Sequence, residues 1–350
     1  MILRAFAVAL SLTWSLTLPW AMAVPAAAQD IAQPSMSPRL LVGTQLSAAN
    51  AALFVAMGKK FFEDERLTVE VRSFASNDEL LKALASGRID FATSEFSAAA
   101  FSLAGKGDIK AIAAQAREHK DFEGNEVVAS IKAYARGLQK LKDLSGRTVA
   151  ITQLGSPYHY QLGQIAKTHE FKLEQLTLKQ LKSLEEVSEA INNDRADAAI
   201  LPVHYARALL MASQARLIGW CSEVDQPQLG GLFASSKAIA GKRPLIDRFL
   251  NAYRRGAAEF TGAMMRRDRF AKRIFDTRSR TIAAMVGRYV YPRLPIDRAM
   301  IAIETTAYYI DPQARLDVGD VVRQVEWFKA QGLVAADIDP KSIVDTTFTN

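Results

Sequence analysis

Two distant stretches of the chain carry the same order of hydrophobic and polar positions. Glu79-Leu80-x-x-Ala83-Leu84-x-x-Gly87-Arg88-Ile89-Asp90-Phe91-Ala92 returns as Glu186-Val187-x-x-Ala190-Ile191-x-x-Asp194-Arg195-Ala196-Asp197-Ala198-Ala199. Apolar residues three and four apart mark one face of a helix, the polar residues after them a turn, and the closing apolar run a strand. The echo predicts two similar α/β lobes. Ligands of open α/β sheets sit outside the carboxyl ends of the strands, so two such lobes facing each other enclose a solute between them.

The remaining pattern fills in the lobes. Strands are expected at 40–43, 67–73, 90–93 and 110–115, with helices at 48–62, 78–85 and 95–104. A strand at 126–129 leads away, and Leu141-Lys142-Asp143-Leu144-Ser145-Gly146-Arg147 forms a turn-bearing approach to a strand at 148–152. Helices at 157–168 and 184–193 and a strand at 196–201 complete the second lobe, and the alternation implies parallel pairing through right-handed crossovers. Between 215 and 233 the chain crosses back: 217–220 is strand-like, Gly230-Gly231 punctuates, and 232–234 resumes a buried strand. Two crossings make a hinge. From Arg243 onward the pattern is helical, at 244–260, 266–275, 279–290, 296–309 and 318–331, with breaks at Pro292 and Pro295.

The expected fold is therefore α/β and two-lobed, with two mixed, mostly parallel sheets flanked by helices and a C-terminal helical buttress on the first lobe. Lobe 1 takes residues 39–125 and 230–350, and lobe 2 takes 126–229. A chain of 350 residues is long enough for two cores.

The first residues bear on the compartment. Arg4 supplies a short positive region, residues 5–18 an apolar segment too short to span a bilayer comfortably, and residues 19–28 a small-residue tail. This reads as a cleaved secretory signal over residues 1–28, followed by a flexible leader at 29–38. Ala26-Ala27-Ala28 fits the cleavage rule, with Ala21-Met22-Ala23 as the other cut. A periplasmic location is expected. Cys221 is the only cysteine, which excludes an internal disulfide and any site built on several cysteines. It reads as a small buried hydrophobe beside Trp220.

The net charge of +7 collects late: Arg266, Arg267, Arg269, Lys272, Arg273, Arg278 and Arg280 crowd one region. No nucleic-acid motif accompanies them, so no nucleic-acid partner is expected. They read as a solvated face, or else as an attraction to anionic lipid or a membrane partner. There is no P-loop, dinucleotide fingerprint, paired-histidine metal spacing or Gly-x-Ser-x-Gly elbow, so no cofactor, metal or catalytic residue is expected.

Four segments carry a family resemblance: Leu84-Ala85-Ser86-Gly87-Arg88-Ile89-Asp90-Phe91, Asp143-Leu144-Ser145-Gly146-Arg147-Thr148-Val149-Ala150, Pro244-x-x-x-Arg248-Phe249-Leu250-Asn251-Ala252, and Trp327-Phe328-x-x-Gln331-Gly332-Leu333-Val334. In order and spacing the chain resembles the type II periplasmic solute-binding proteins of ABC importers, of the nitrate, sulfonate and taurine-binding kind and similar to thiamin-precursor binders. The resemblance implies a monomeric receptor that delivers a small-molecule solute to an ABC permease in the inner membrane. It also implies ligand contacts from loops that follow strands.

On lobe 1 those loops offer Gln45 and Ser47 after the first strand, Ser76 and Asn77 at the next helix start, and Ser94 and Glu95 after the third strand. Asn77 departs from the small or glycine-rich residues usual in its loop. Across the cleft, Gly155 lets the backbone approach closely, Ser156 suits an N-cap and Pro157 the first helical position, so the helix start holds an anion well. Tyr158 and His159 follow; His159 is either a contact or a surface histidine. His204 and Tyr205 stand at the mouth, at the carboxyl end of the strand containing Asp197. Asp90 and Asp197 read as strand-start residues tied to local backbone, and Trp220 as core rather than a stacking platform.

The expected solute is a small organic anion, an alkyl or aryl sulfonate or an aromatic carboxylate. If Glu95 faces it, a heterocycle with donor groups such as a thiamin-type pyrimidine precursor fits better. An enzyme of pyrimidine synthesis on the same scaffold is the other class, but the single cysteine and the signal stand against it. A secreted sensor would use the same binding physics.

Overall fold

The computed structural model describes residues 37–122 and 124–349, in which two five-stranded sheets carry the fold. The expected export signal and all but the last two residues of the leader lie outside these residues. The chain runs through β1 (Arg39–Thr44), α1 (Ala51–Gly58), α2 (Phe61–Asp64), β2 (Thr68–Ser73), α3 (Asn77–Ala85), β3 (Phe91–Glu95), α4 (Ala98–Gly105) and β4 (Ile109–Ala114). Short β5 (Ala116–Arg117) and then β6 (Asn125–Ser130) lead to α5 (Ile131–Ala135), β7 (Thr148–Ile151), α6 (Pro157–Thr168), β8 (Thr177–Gln180), α7 (Leu184–Asn192), β9 (Ala198–Pro202), α8 (Val203–Met211) and β10 (Ala215–Trp220). The return strand β11 (Gly230–Ser235) is followed by α9 (Ser236–Met264), α10 (Thr277–Val290), α11 (Ile296–Thr306), β12 (Tyr309–Ile310) and α12 (Val318–Ala330).

The first sheet has the order β2-β1-β3-β11-β4 and the second β10-β6-β9-β7-β8, while β5 and β12 form a separate ribbon. The repeat seen in the sequence is a repeat of structure. In each half a Ser caps the helix that follows an edge strand: Ser76 accepts from the Glu79 amide and Ser183 from the Glu186 amide. In each half the aspartate before the next strand then accepts from the strand beside that edge, Asp90 from the Leu41 amide of β1 at 3.0 Å and Asp197 from the Thr148 amide of β7 at 2.9 Å.

Parallel pairing holds for β1 with β2 and β3, and for β7 with β8 and β9. The sheets are mixed, as expected, and the antiparallel members are the strands that follow the crossings. β11 is antiparallel to β3 and β4, and β6 is antiparallel to β9 and β10. Each enters its sheet from a crossing that arrives at the carboxyl ends of the parallel strands, so each begins where the others finish. The crossings run side by side: Glu118 N donates to Pro227 O at 3.0 Å and Leu229 N to Ala116 O at 2.9 Å.

Several helices differ from expectation. The run at 48–62 is interrupted at Lys60, whose φ is 61°, and the one at 95–104 starts at Ala98 because β3 extends through Glu95 and Ser97 supplies the cap. The segment 296–309 leaves the helix after Thr306 so that Tyr309 and Ile310 can pair with β5. The expected helix at 266–275 is a hairpin instead. The Asp268 carboxylate accepts from the amides of Phe270 and Lys272, which competes with helical bonding, and Ala271 has φ 61°. The strand β8 and helix α8 are additions. Apolar clusters fill both faces of both sheets, and Cys221 is buried in the second. No helix among the described residues is long and apolar enough to cross a membrane.

Candidate functional site

The carboxyl ends of β1, β3, β7 and β9 and the two crossings converge on one region between the sheets. Its direct bridge is a hydrogen bond of 2.9 Å from the Ala98 amide, in the first turn of α4, to the carbonyl of Gly155 in the loop after β7. Gly155 has φ 79°, open to glycine and strained for other residues.

On the first sheet's side the strand ends are cross-tied. The buried hydroxyls of Thr44 and Thr93 share a hydrogen bond of 2.7 Å, and Gln115 Nε2 donates to Asn50 Oδ1. Gln45 is half-buried and holds this corner through its carbonyl, which accepts from Asn50 Nδ2 at 2.8 Å. Ser47 caps the turn at Ala48–Asn50, and Ser76 caps α3. Ser94 donates to Asn77 Oδ1 at 2.8 Å, and the buried Asn77 Nδ2 has no partner among the described residues. The Asn77 that departs from the family pattern thus lies under β3 as a partner of Ser94.

Glu95 differs from its neighbours. It ends β3 opposite Gly230, is partly accessible, and its carboxyl has no hydrogen-bond or ion-pair partner among the described residues. Burial raises its pKa to about 7. A partly accessible carboxyl that has no partner, and whose charged form burial disfavours, marks a candidate binding position.

The opposite wall is α6. Ser156 caps it, donating to Gln153 O at 2.8 Å and accepting from the His159 amide at 3.3 Å, so its hydroxyl is committed to local backbone. His159 is not a surface residue. It is 4% exposed, accepts from the Gly155 amide at 3.2 Å through Nδ1 and stands edge-on to Trp327 at 5.0 Å. Burial lowers its pKa to about 4, which makes it a neutral acceptor that shapes the Gly155 loop. Tyr158 is buried between the halves. Desolvation first, then the charges of Glu95, Tyr205 and Glu118, hold its phenol well above the ordinary value. At the far side Tyr205 donates to Glu185 and lies 4.5 Å from the His204 ring, while burial lowers His204 to about 4.

The floor consists of residues that the loop-based reading passed over. Tyr308 donates to Asn125 Oδ1 at 2.8 Å, Asn125 Nδ2 to Gln161 Oε1 at 2.9 Å, and Gln161 Nε2 to Glu118 Oε1 at 2.9 Å. The Asn125 amide also donates to Glu118 Oε1 at 2.9 Å. Glu118 is fully buried, and desolvation raises its pKa to about 7 against these hydrogen bonds. The sequence offered little signal: Gln115 and Asn125 adjoin apolar strands, but Glu118 sits in the polar run 117–121 and reads as a surface carboxylate.

The family model described as NMT1/THI5 like matches residues 48–263. The chain belongs to this family. Among curated proteins, none matches it in sequence. In fold it is similar to the periplasmic aliphatic sulphonate binding protein SsuA from Escherichia coli, at 16% identity and a TM-score of 0.67 over 88% of this chain and 92% of that one. It is likewise similar to the periplasmic nitrate-binding protein NrtA from Synechocystis PCC 6803, at 11% identity and a TM-score of 0.66 over 88% and 85%. A third likeness is to a mutant of DszB in complex with biphenyl-2-sulfinic acid, at 11% identity and a TM-score of 0.58 over 90% and 98%. This member of the NMT1/THI5-like family therefore has the periplasmic binding protein fold.

Proposed function

We propose that this chain is the solute-binding component of an ABC-type importer, exported to the periplasm, which grips a small molecule between its halves and delivers it to a membrane permease. The halves are residues 39–125 with 230–350, and 126–229, turning about the two crossings. The observation that carries this reading is the convergence of strand ends from both sheets on one polar region, bridged by Gly155 and Ala98 and containing an unpartnered Glu95. Binding by one half recruits contacts from the other, and differential affinity for the closed form drives closure.

The same region favours a donor-bearing solute, such as an aminopyrimidine-type heterocycle, over the sulfonate or aromatic carboxylate. An anionic head would meet Glu95 and Glu118, while the Ser156 hydroxyl meant to receive it is already committed. An apolar or aromatic body suits the neighbouring Tyr158 ring.

A melting screen with matched head groups tests both levels. 4-Aminopyrimidine and benzamidine are compared with benzoate, benzenesulfonate, ethanesulfonate and nitrate, on the wild type and Glu95→Gln. A donor at a hundred times its dissociation constant adds about 2.7 kcal/mol, and Glu95→Gln removes that gain. Stabilisation by the anions alone, unchanged in Glu95→Gln, would overturn the solute assignment and leave the receptor standing. Catalytic turnover of any compound that binds would overturn the receptor itself.

A further inference from the structure

The hairpin between α9 and α10 has an anchored base and an unanchored tip. At its base Ile274 N donates to Arg266 O at 3.0 Å, Asp268 N donates to Lys272 O at 2.8 Å, and Arg267 pairs with Arg273 in antiparallel register. Arg267 lies 4.5 Å above the Phe122 ring and donates to Ala271 O at 2.6 Å. Arg273 donates to Met264 O at 3.3 Å and to Glu304 O at 3.1 Å, which fixes the base to α9 and α11. Arg266 pairs with Asp276. Arg269, Phe270 and Lys272 remain at the tip, all exposed, and neither cation has an ion-pair partner among the described residues. The Phe270 ring is 68% exposed, with the Arg269 guanidinium 4.7 Å above it.

A rigid base would shield a phenyl ring if its place were in the core; here it holds the ring outward with a cation on either side. Between 266 and 280 there are seven basic residues against two acidic ones, and Asp268 is turned inward onto the amides of the tip. An apolar apex ringed by cations matches the layered chemistry of an anionic bilayer, where apolar groups enter below the headgroups and cations remain with the phosphates. A polyanion such as a nucleic acid or an acidic protein would use the cations but leave the apex ring without a purpose.

We propose that this hairpin docks the protein on an anionic lipid surface, with Phe270 entering the interface and Arg269 and Lys272 at the lipid phosphates. One short tip makes the association weak, reversible and sensitive to salt. It is independent of what the cleft binds.

Vesicle co-sedimentation of the protein in its exported form tests this, using pure phosphatidylcholine against phosphatidylcholine with phosphatidylglycerol. Every variant carries the same N-terminus, so differences among them report the hairpin. The wild type is expected to partition onto the phosphatidylglycerol vesicles and not onto phosphatidylcholine. The double variant Arg269→Glu, Lys272→Glu should lower the partition coefficient by at least about tenfold. Phe270→Ser should lower it as well, and Phe270→Trp should show a blue-shifted emission with phosphatidylglycerol vesicles. Equal partition onto both lipids overturns the proposal. So does a response to the charge variants in which Phe270→Ser binds like wild type and Phe270→Trp shows no shift, because that pattern marks a generic polyanion or an acidic partner.

Discussion

The carbonyl of Gly155 accepts a hydrogen bond of 2.9 Å from the amide of Ala98, and through it the loop after β7 is tied to the first turn of α4. A side chain at 155 would place its Cβ 2.9 Å from that of Ala98, on a backbone with φ 79°. Gly155→Ala is expected to cost about 1–2 kcal/mol from the left-handed conformation alone, and to part the two loops. Urea unfolding measures the first effect, and a larger radius of gyration in solution scattering reports the second.

Glu95 has a definite pH signature. Burial raises its carboxyl from the ordinary 4.5 to about 7 in the folded chain, so the folded state binds the proton more tightly and stability falls as pH rises across that window. Glu118 acts with the same sign. His159 and His204, lowered to about 4 from 6.5, act in the opposite sense: their contribution is present above 6.5 and lost as pH falls toward 4. Glu95→Gln should therefore melt progressively higher than wild type between pH 4.5 and 7, with the difference level above that. A difference independent of pH would show that Glu95 titrates normally.

Trp327 on α12 lies against Gly163 of α6, where a Cβ would collide with the indole, and it meets Tyr160 edge-on at 5.4 Å. Gly163→Ala must displace the ring, at a cost of about 1–3 kcal/mol for overpacking. The expected readout is a changed indole emission that is absent when Trp327→Phe is present in the same chain.

The paired aspartates make a test of the internal repeat. Asp90→Ala strands the Leu41 amide and Asp197→Ala the Thr148 amide, each in a partly buried position. Both are expected to destabilise the chain by about 1–3 kcal/mol. Costs that differ severalfold in urea unfolding would show that the two halves are alike in shape but not in energetics.

Much of this was legible in the chain. The start of α6 could be read from Ser156-Pro157, because capping chemistry is local, and the two Asp positions could be read from the echo that contains them. The hairpin at 266–275 misled because its helical look came from composition, whereas Asp268 imposed a turn by capturing two amides. His159 is left open by the sequence for another reason. Its neighbours Trp327 and the Gly155 amide become neighbours only on folding, so nothing beside it in the sequence distinguishes a buried acceptor from a surface side chain.

By itself the sequence determined the repeated helix-turn-strand units of the two sheets, their helix caps and the strand-start aspartates, because periodicity and capping act over a few residues. Tertiary structure alone decided the antiparallel entry of β6 and β11, the polar floor from Tyr308 to Glu118, and the isolation of Glu95. Those features depend on groups brought together from distant parts of the chain, and the desolvation that lifts Glu95 and Glu118 arises only when both sheets and the crossings close around them.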